Sequence, residues 1–558
     1  MMSTVDLLAQ PFGLSDEEIT FLQGLLEQMS VDEKIGQLFF PIGYSADEGY
    51  LRTQILKNRP GGLMFRTGAP EEILRAYTFV QKKSRIPMFT AANLEAGGDG
   101  IAENGTAFGK QMQVAATGDP GFAYRLGKVC AREGKAVGCN FAFAPVVDID
   151  LNWRNPITNV RTYGDDPDRV IRYAREYIRA CEEEGMLYSI KHFPGDGVDE
   201  RDQHILTSVN TLGRDEWMRT YGKVYRTLID EGARAVMAGH IALPAFQTED
   251  RMLPATLSPE ILKGLLREEL GFNGLIVSDA TPMVGFCAAM KRRMAVPKAI
   301  MAGCDMFLFN KDYEEDLRLM KEGLESGLLT EERLDEAVTR ILATKISMGL
   351  FGTNGKTGGD LSVIGCTDHL RMAEDCADRA VTLVKDAEGL LPMDSARTKR
   401  VLLQILGDGA SSERVRKTFT EELEKRGFTV IPYEKEVFDF TKPLPFDSAE
   451  SFRQKYDFVL YVGNIENASN KTTNRINWYT LFGLGNNMPW FVKEVPTVFV
   501  SLQNPYHLID VPMIGTYVNC YSNHDAMIRS AVGKLCGESA FRGMSPVDPY
   551  CGKEYLKV

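Results

Sequence analysis

Between Lys191 and His204 the chain reads Lys-His-Phe-Pro-Gly-Asp-Gly-Val-Asp-Glu-Arg-Asp-Gln-His. An apolar run, Met186-Leu187-Tyr188-Ser189-Ile190, ends here in two basic side chains, Lys191 and His192. A Pro-Gly-Asp-Gly turn follows, then a charged loop closed by Asp202-Gln203-His204. A carboxylate beside a histidine can hold the ring's orientation and raise its pKa, favouring the imidazolium that donates a proton. In isolation Asp-x-His is a short signal and more often marks a solvated acidic loop. Other polar residues also stand where apolar runs end: Arg66, Asn93, Glu95, Asp148, His240 and Asp279. An Asp at such a point can act on a substrate or simply cap the next helix. A histidine there, such as His240, is as often a satisfied core residue as a pocket wall.

The elements that position these residues can be read from hydrophobicity. Eight short apolar runs recur through the first two-thirds of the chain, from Gln37–Ile42 to Asp305–Asn310, and they are continuous rather than alternating. Such runs belong to strands buried on both faces, as in parallel sheets. Amphipathic stretches separate them, including Asp119–Val137, Asp166–Glu184 and Ser258–Leu270, the first opened by Asp119-Pro120 and the third by Ser258-Pro259. The fold class expected is α/β, a (β/α)8 TIM barrel whose polar rim gathers the residues above. An open doubly wound sheet is the alternative with the same pattern. Domain limits are expected at 1–352 for the barrel, 353–395 for a linker and a lead-in helix from about His369 to Lys385, and 396–558 for a smaller three-layer α/β domain. Gly483-Leu484-Gly485 reads as a turn.

Composition narrows the function classes. Lys and Arg total 64 against 76 Asp and Glu, a net charge of -12, which disfavours nucleic acid because phosphate neutralisation needs a basic face. No run reaches the ~18 apolar residues of a spanning helix. The first residues lack the basic and apolar regions of a secretory signal. The ten cysteines form no CxxC pairs, and with six histidines they lack metal-ligand spacing. Reduced thiols in a cytoplasmic protein, with no metal and no cofactor, are therefore expected, with a small molecule as the partner and neither nucleic acid nor membrane.

The Lys191–His204 stretch resembles the K-H-F-P-G-x-G…D-x-H signature of the β-N-acetylglucosaminidase branch of glycoside hydrolase family 3. Other segments are similar to the family's, in order: Gly61-Gly62-Leu63-Met64-Phe65-Arg66, Thr106-Ala107-Phe108 through Asp119-Pro120, Phe143-Ala144-Pro145-Val146-Val147-Asp148-Ile149, Val160–Pro167 and Ile276-Val277-Ser278-Asp279-Ala280. Arg379–Lys385 and Gln503-Asn504-Pro505-Tyr506 resemble its accessory α/β domain and lead-in, so the likeness runs along nearly the whole chain.

The resemblance implies a retaining, exo-acting β-N-acetylglucosaminidase that forms a covalent glycosyl-enzyme, taking GlcNAc glycosides or peptidoglycan and chitin fragments. It implies Asp279 as nucleophile, His204 as acid and then base, Asp202 as its polarising partner, and Arg66, Asn93, Arg161, Lys191 and His192 as sugar-binding residues. A β-glucosidase or a GlcNAc-glycoside phosphorylase of the same family, and a non-catalytic sugar-binding relative, are the alternatives. Two departures stand out. Asn93 occupies the place of an Asp that accepts hydrogen bonds from sugar hydroxyls, exchanging an acceptor for a donor. Asp196 stands where His is common. An added carboxylate there is expected to raise the pKa of His204 or to repel an anionic substrate such as phosphate.

Overall fold

The computed structural model describes residues 5–353, 358–407, 409–433, 447–478 and 487–557; Gly483-Leu484-Gly485 lies outside them. The chain divides into two compact units, one made of Met1–Phe108 and Pro120–Leu370, the other of Gly109–Asp119 and Arg371–Val558.

In the first unit the apolar runs form short, wholly parallel strands. They are β1 (Phe39–Phe40), β2 (Ile42–Gly43), β3 (Gly62–Phe65), β4 (Phe89–Ala92), β5 (Phe141–Ala142), β6 (Leu187–Tyr188), β7 (Ile190–Phe193), β8 (Ser208–Val209), β9 (Ala235–Ala238), β10 (Ile241–Ala242), β11 (Leu275–Ser278) and β12 (Phe307–Leu308). One sheet runs β2-β3-β4-β5-β6, another β7-β9-β11, and β1 pairs with β12. Single parallel bridges join Val146 to Lys191 and Val277 to Met306. Strands β3, β4, β7, β9 and β11 are buried at every residue, which is why their sequences do not alternate.

Phenylalanines fill the space between the strands. Phe141 and Phe143 meet edge-to-face at 4.9 Å, Phe40 lies 5.5 Å from Phe143, and Phe39 lies 5.6 Å from Phe307. Such pairs contribute about 0.5–1.5 kcal/mol each beyond area burial.

The intervening helices largely keep their sequence limits. Helix α1 (Gly121–Ala136) starts after Pro120. Helix α2 (Pro167–Glu183) is capped by Asp166, whose carboxylate accepts from the Asp168 and Arg169 N–H groups. The Ser258–Leu270 stretch is a π-helical segment, Glu260–Glu269.

Helix α3 (Thr367–Ala380) ends earlier than the reading of His369–Lys385. The residues after it form β13 (Thr382–Asp386), which pairs with a segment remote in sequence, Thr516–Asn519.

The second unit carries β13, β14 (Arg400–Leu406), β15 (Thr429–Pro432), β16 (Phe458–Gly463), β17 (Thr497–Ser501) and β18 (Thr516–Asn519) in one sheet of order β13-β18-β17-β16-β14-β15. Only the β13–β18 pair is antiparallel. On one face Tyr461, Phe499 and Tyr517 stack in a row, with centroids 6.3 and 5.3 Å apart. None of the ten cysteines is in a disulfide among the described residues, and no helix of the described residues is long and apolar enough to cross a membrane.

Candidate active site

Polar side chains collect around the C-terminal ends of β4, β7, β9 and β11. Lys191 and His192 belong to β7 itself rather than following it. The next turn depends on glycine. Gly195 and Gly197 have φ of +118° and +104°; a Cβ there would stand 2.1 Å from the Tyr221 ring and 2.0 Å from the Ile149 carbonyl. The Tyr221 hydroxyl donates to the Asp196 and Ile149 carbonyls, and the Trp217 indole N–H to the Pro194 carbonyl.

Asp279 follows β11 directly. Its N–H donates to the Ala238 carbonyl and its Oδ1 accepts from the Ala280 N–H at 2.7 Å. Burial alone raises its carboxyl; His192, His240 and His204, with the Ala280 N–H, outweigh that and hold it below the ordinary carboxylate value. It is therefore an anion at neutral pH, in a site it shares with three histidines.

His192 bridges two carboxylates. Its Nδ1 donates to Asp148 Oδ2 at 2.7 Å, and its Nε2 lies 3.9 Å from Asp279 Oδ2. Since a carboxylate only accepts, the Asp148 contact fixes the proton on Nδ1. Asp148 Oδ1 also accepts from the His192 and Asp196 N–H groups, so one buried carboxylate sets both the ring and the start of the turn.

Asp202 and His204 are paired as their spacing suggests. Asp202 is buried, and its Oδ1 accepts from His204 Nδ1 at 2.7 Å and from the His204 N–H at 2.9 Å. The His204 side chain keeps 26% exposure, open to a reactant. The Val284 N–H donates to the His204 carbonyl and the Gly285 N–H to that of Gln203. The acid–base loop is thus fastened to the residues just after Asp279.

Arg161 and Lys191 converge on a residue whose centrality the sequence did not reveal, Glu95. Arg161 Nε and Nη2 donate to Glu95 at 2.9 and 2.8 Å, and Lys191 Nζ lies 2.6 Å from Oε1. Against the burial that raises it, the two cations hold the Glu95 carboxyl well below the ordinary value. Its only signal was its place two residues after Asn93, beyond a strand end.

Arg66 and Asn93 stand apart from this network. Both are exposed beyond the ends of the paired strands β3 and β4, and neither side chain has a protein partner among the described residues. Their donors are open to a ligand.

His240 is a satisfied core residue. It is fully buried, takes the Thr256 hydroxyl on Nδ1 at 2.9 Å and donates from Nε2 to the Ala280 carbonyl at 3.0 Å. Burial lowers its pKa.

Asp196 departs from the reading of a charge facing the pocket. Its residue is 3% exposed, and its carboxylate accepts from Asn155 Nδ2, the Gly197 N–H and Gln203 Nε2. Burial, reinforced by Asp148, pushes it up to about 7. Among the described residues no group of three or more His, Cys, Asp or Glu is arranged to hold a metal ion.

The glycosyl hydrolase family 3 N-terminal domain matches residues 30–344. The β-N-acetylglucosaminidase/β-glucosidase of Cellulomonas fimi is 43% identical over 564 residues, covering 98% of this chain and 99% of its own. Among solved structures, the β-glucoside phosphorylase BglX superposes with a TM-score of 0.92 at 42% identity, covering 99% of both chains. A family 3 β-N-acetylglucosaminidase from Paenibacillus sp. str. FPU-7 shares the fold, with a TM-score of 0.78 at 24% identity over 93% of this chain and 99% of that one. With a domain match over more than half its length and a full-length relative this similar, the chain belongs to glycosyl hydrolase family 3.

Proposed function

We propose that the protein is a retaining, exo-acting β-N-acetylglucosaminidase. Asp279 attacks the anomeric carbon while His204 protonates the departing oxygen. His204, now neutral, then takes a proton from water as that water attacks the glycosyl-enzyme, and Asp279 leaves. Asp202 orients the ring and stabilises the imidazolium. Arg161, Lys191 and His192 are assigned to the sugar next to Asp279, and the unengaged Arg66 and Asn93 to its outer hydroxyls.

The observation that carries this reading is the pairing of an ionised Asp279 with an Asp202–His204 dyad fastened to residues 284–285. The nucleophile and the proton carrier are thereby held relative to one another before substrate arrives. For the fold, we read the first unit as a closed (β/α)8 barrel, with the second as its accessory α/β sandwich. In support, pairings lead from β2 through β3 and β4 to β5, and the Val146–Lys191 bridge joins the segment after β5 to β7. Pairings continue through β9 to β11, and the Val277–Met306 bridge leads to β12, which pairs with β1, one residue before β2.

A second reading, phosphate in place of water on a β-glucoside, has specific support. The similar chain BglX is a β-glucoside phosphorylase. The base is an imidazole, which repels phosphate less than a carboxylate does, and Asp196 is buried away from solvent.

Assaying aryl β-glycosides of GlcNAc, glucose, xylose and GalNAc with and without phosphate tests both. Free GlcNAc released at a phosphate-independent rate is expected. Sugar 1-phosphate as the main product would replace hydrolysis with the second reading, and preference for glucose would overturn the assigned sugar.

A further inference from the structure

Gln203 sits between the two members of the dyad, yet its side chain points away from them and is 1% exposed. Its Oε1 accepts from the His240 N–H at 2.8 Å, and its Nε2 donates to Asp196 Oδ2 at 3.3 Å. Its carbonyl accepts from the Gly285 N–H at 3.2 Å. One residue therefore ties the loop to three places: the turn after β7, the end of β9, and the segment that follows Asp279.

Two further features tighten the same joint. Thr207 Oγ1 donates to the Gly285 carbonyl at 2.9 Å. A Cβ on Gly285 would stand 2.6 Å from the Gln203 carbonyl oxygen and 2.9 Å from that of Leu206, so the close approach requires glycine. Asp196, whose presence in the turn was unexplained by the chemistry of the pocket, serves as the acceptor for Gln203. Asn155 and the Gly197 N–H hold that acceptor in turn.

We infer that Gln203 is a positioning residue that holds the His204 loop in place relative to Asp279, through Asp196, His240 and Gly285. The inference rests on the reading of His204 as acid and base. Asp202 sets the ring of His204 relative to its own backbone, and Gln203 sets that backbone relative to Asp279. Loss of the second constraint misplaces the proton carrier without altering the nucleophile.

The test compares Gln203→Met, Thr207→Val and His204→Ala on aryl glycosides with good (2,4-dinitrophenol) and poor (phenol) leaving groups. Misplacement of a catalytic group by about 1 Å can cost about 100-fold. For Gln203→Met, kcat/KM on the phenyl glycoside should fall about 10- to 100-fold and on the dinitrophenyl glycoside less than about threefold. Azide should restore part of the turnover on the dinitrophenyl glycoside by replacing water in the second step, which no longer needs a base. Thr207→Val, an isosteric change at a half-buried position that removes one hydrogen bond, should shift the same ratio by a few-fold. Equal losses on both substrates in both variants, with His204→Ala keeping its leaving-group dependence, would overturn the role of Gln203 alone. If His204→Ala itself shows no leaving-group dependence, the acid–base reading falls and the lock with it.

Discussion

His192 Nε2 lies 3.9 Å from Asp279 Oδ2, while the other nitrogen of the same ring is hydrogen-bonded to Asp148. The imidazole thus faces the nucleophile with a hydrogen-bearing Nδ1 turned away from it and fixed. It contributes to Asp279 in two ways, as a neighbour that favours the anion and as a wall of the sugar site.

The first of these roles has a pH signature. The Asp279 carboxyl is held low, so the reactive anion persists until pH falls through that low value. Replacing His192 by leucine removes one of the groups that hold it down and leaves the burial that raises it. The acidic limb of kcat/KM should therefore move to higher pH, measured on an aryl glycoside with a good leaving group. A limb that stays in place would mean that His240, His204 and the Ala280 N–H suffice.

Glu95 binds Arg161 and Lys191 at once, and none of the three side chains is more than 17% exposed. Glu95→Gln leaves two cations facing a neutral amide. Removing one partner of a buried ion pair costs about 3–5 kcal/mol, an upper bound for a cluster that keeps some access to water. The midpoint of denaturant unfolding should fall accordingly, and KM should rise because both cations lose their orientation. A variant as stable as wild type would show that water already screens the cluster.

Asp196 makes stability depend on pH in the opposite sense from an ordinary paired carboxylate. Its folded value, about 7, is above its ordinary 3.8, so the folded state holds the extra proton between these values. Stability then declines as pH rises across that window, because the unfolded state binds fewer protons there. Asp196→Asn cannot titrate. Whatever its fixed effect on the Gln203 contact, its stability relative to wild type should increase from about pH 4 to about pH 7 and level off above. A difference independent of pH would mean that Asp196 stays ionised throughout.

Much of this was readable in the chain because the physics was local. Continuous runs such as Leu275–Ser278 announce strands buried on both faces, and the amphipathic stretch Asp166–Glu184 announces a helix. Asp202 and His204 are two residues apart, so their pairing needs only a turn. The strand Thr382–Asp386 reads as a continuation of the preceding helix because what makes it a strand, its pairing with Thr516–Asn519, is remote in sequence. Glu95 escaped for the same reason, since Arg161 is 66 positions away. The type of Asp196 suggests a pocket charge, while its burial depends on Asn155, Gln203 and Tyr221, each contributed by a different segment.

The central claim is that Asp279 forms a covalent bond to the sugar. Incubation with 5-fluoro-β-N-acetylglucosaminyl fluoride should trap that intermediate, because the ring fluorine slows its breakdown while the fluoride leaves readily. Intact mass should rise by one fluorosugar, and peptide mapping should place it on Asp279, with Asp279→Asn remaining unlabelled and as thermally stable as wild type. A label on another carboxylate, or labelling of the Asp279→Asn variant at the wild-type rate, would contradict the account.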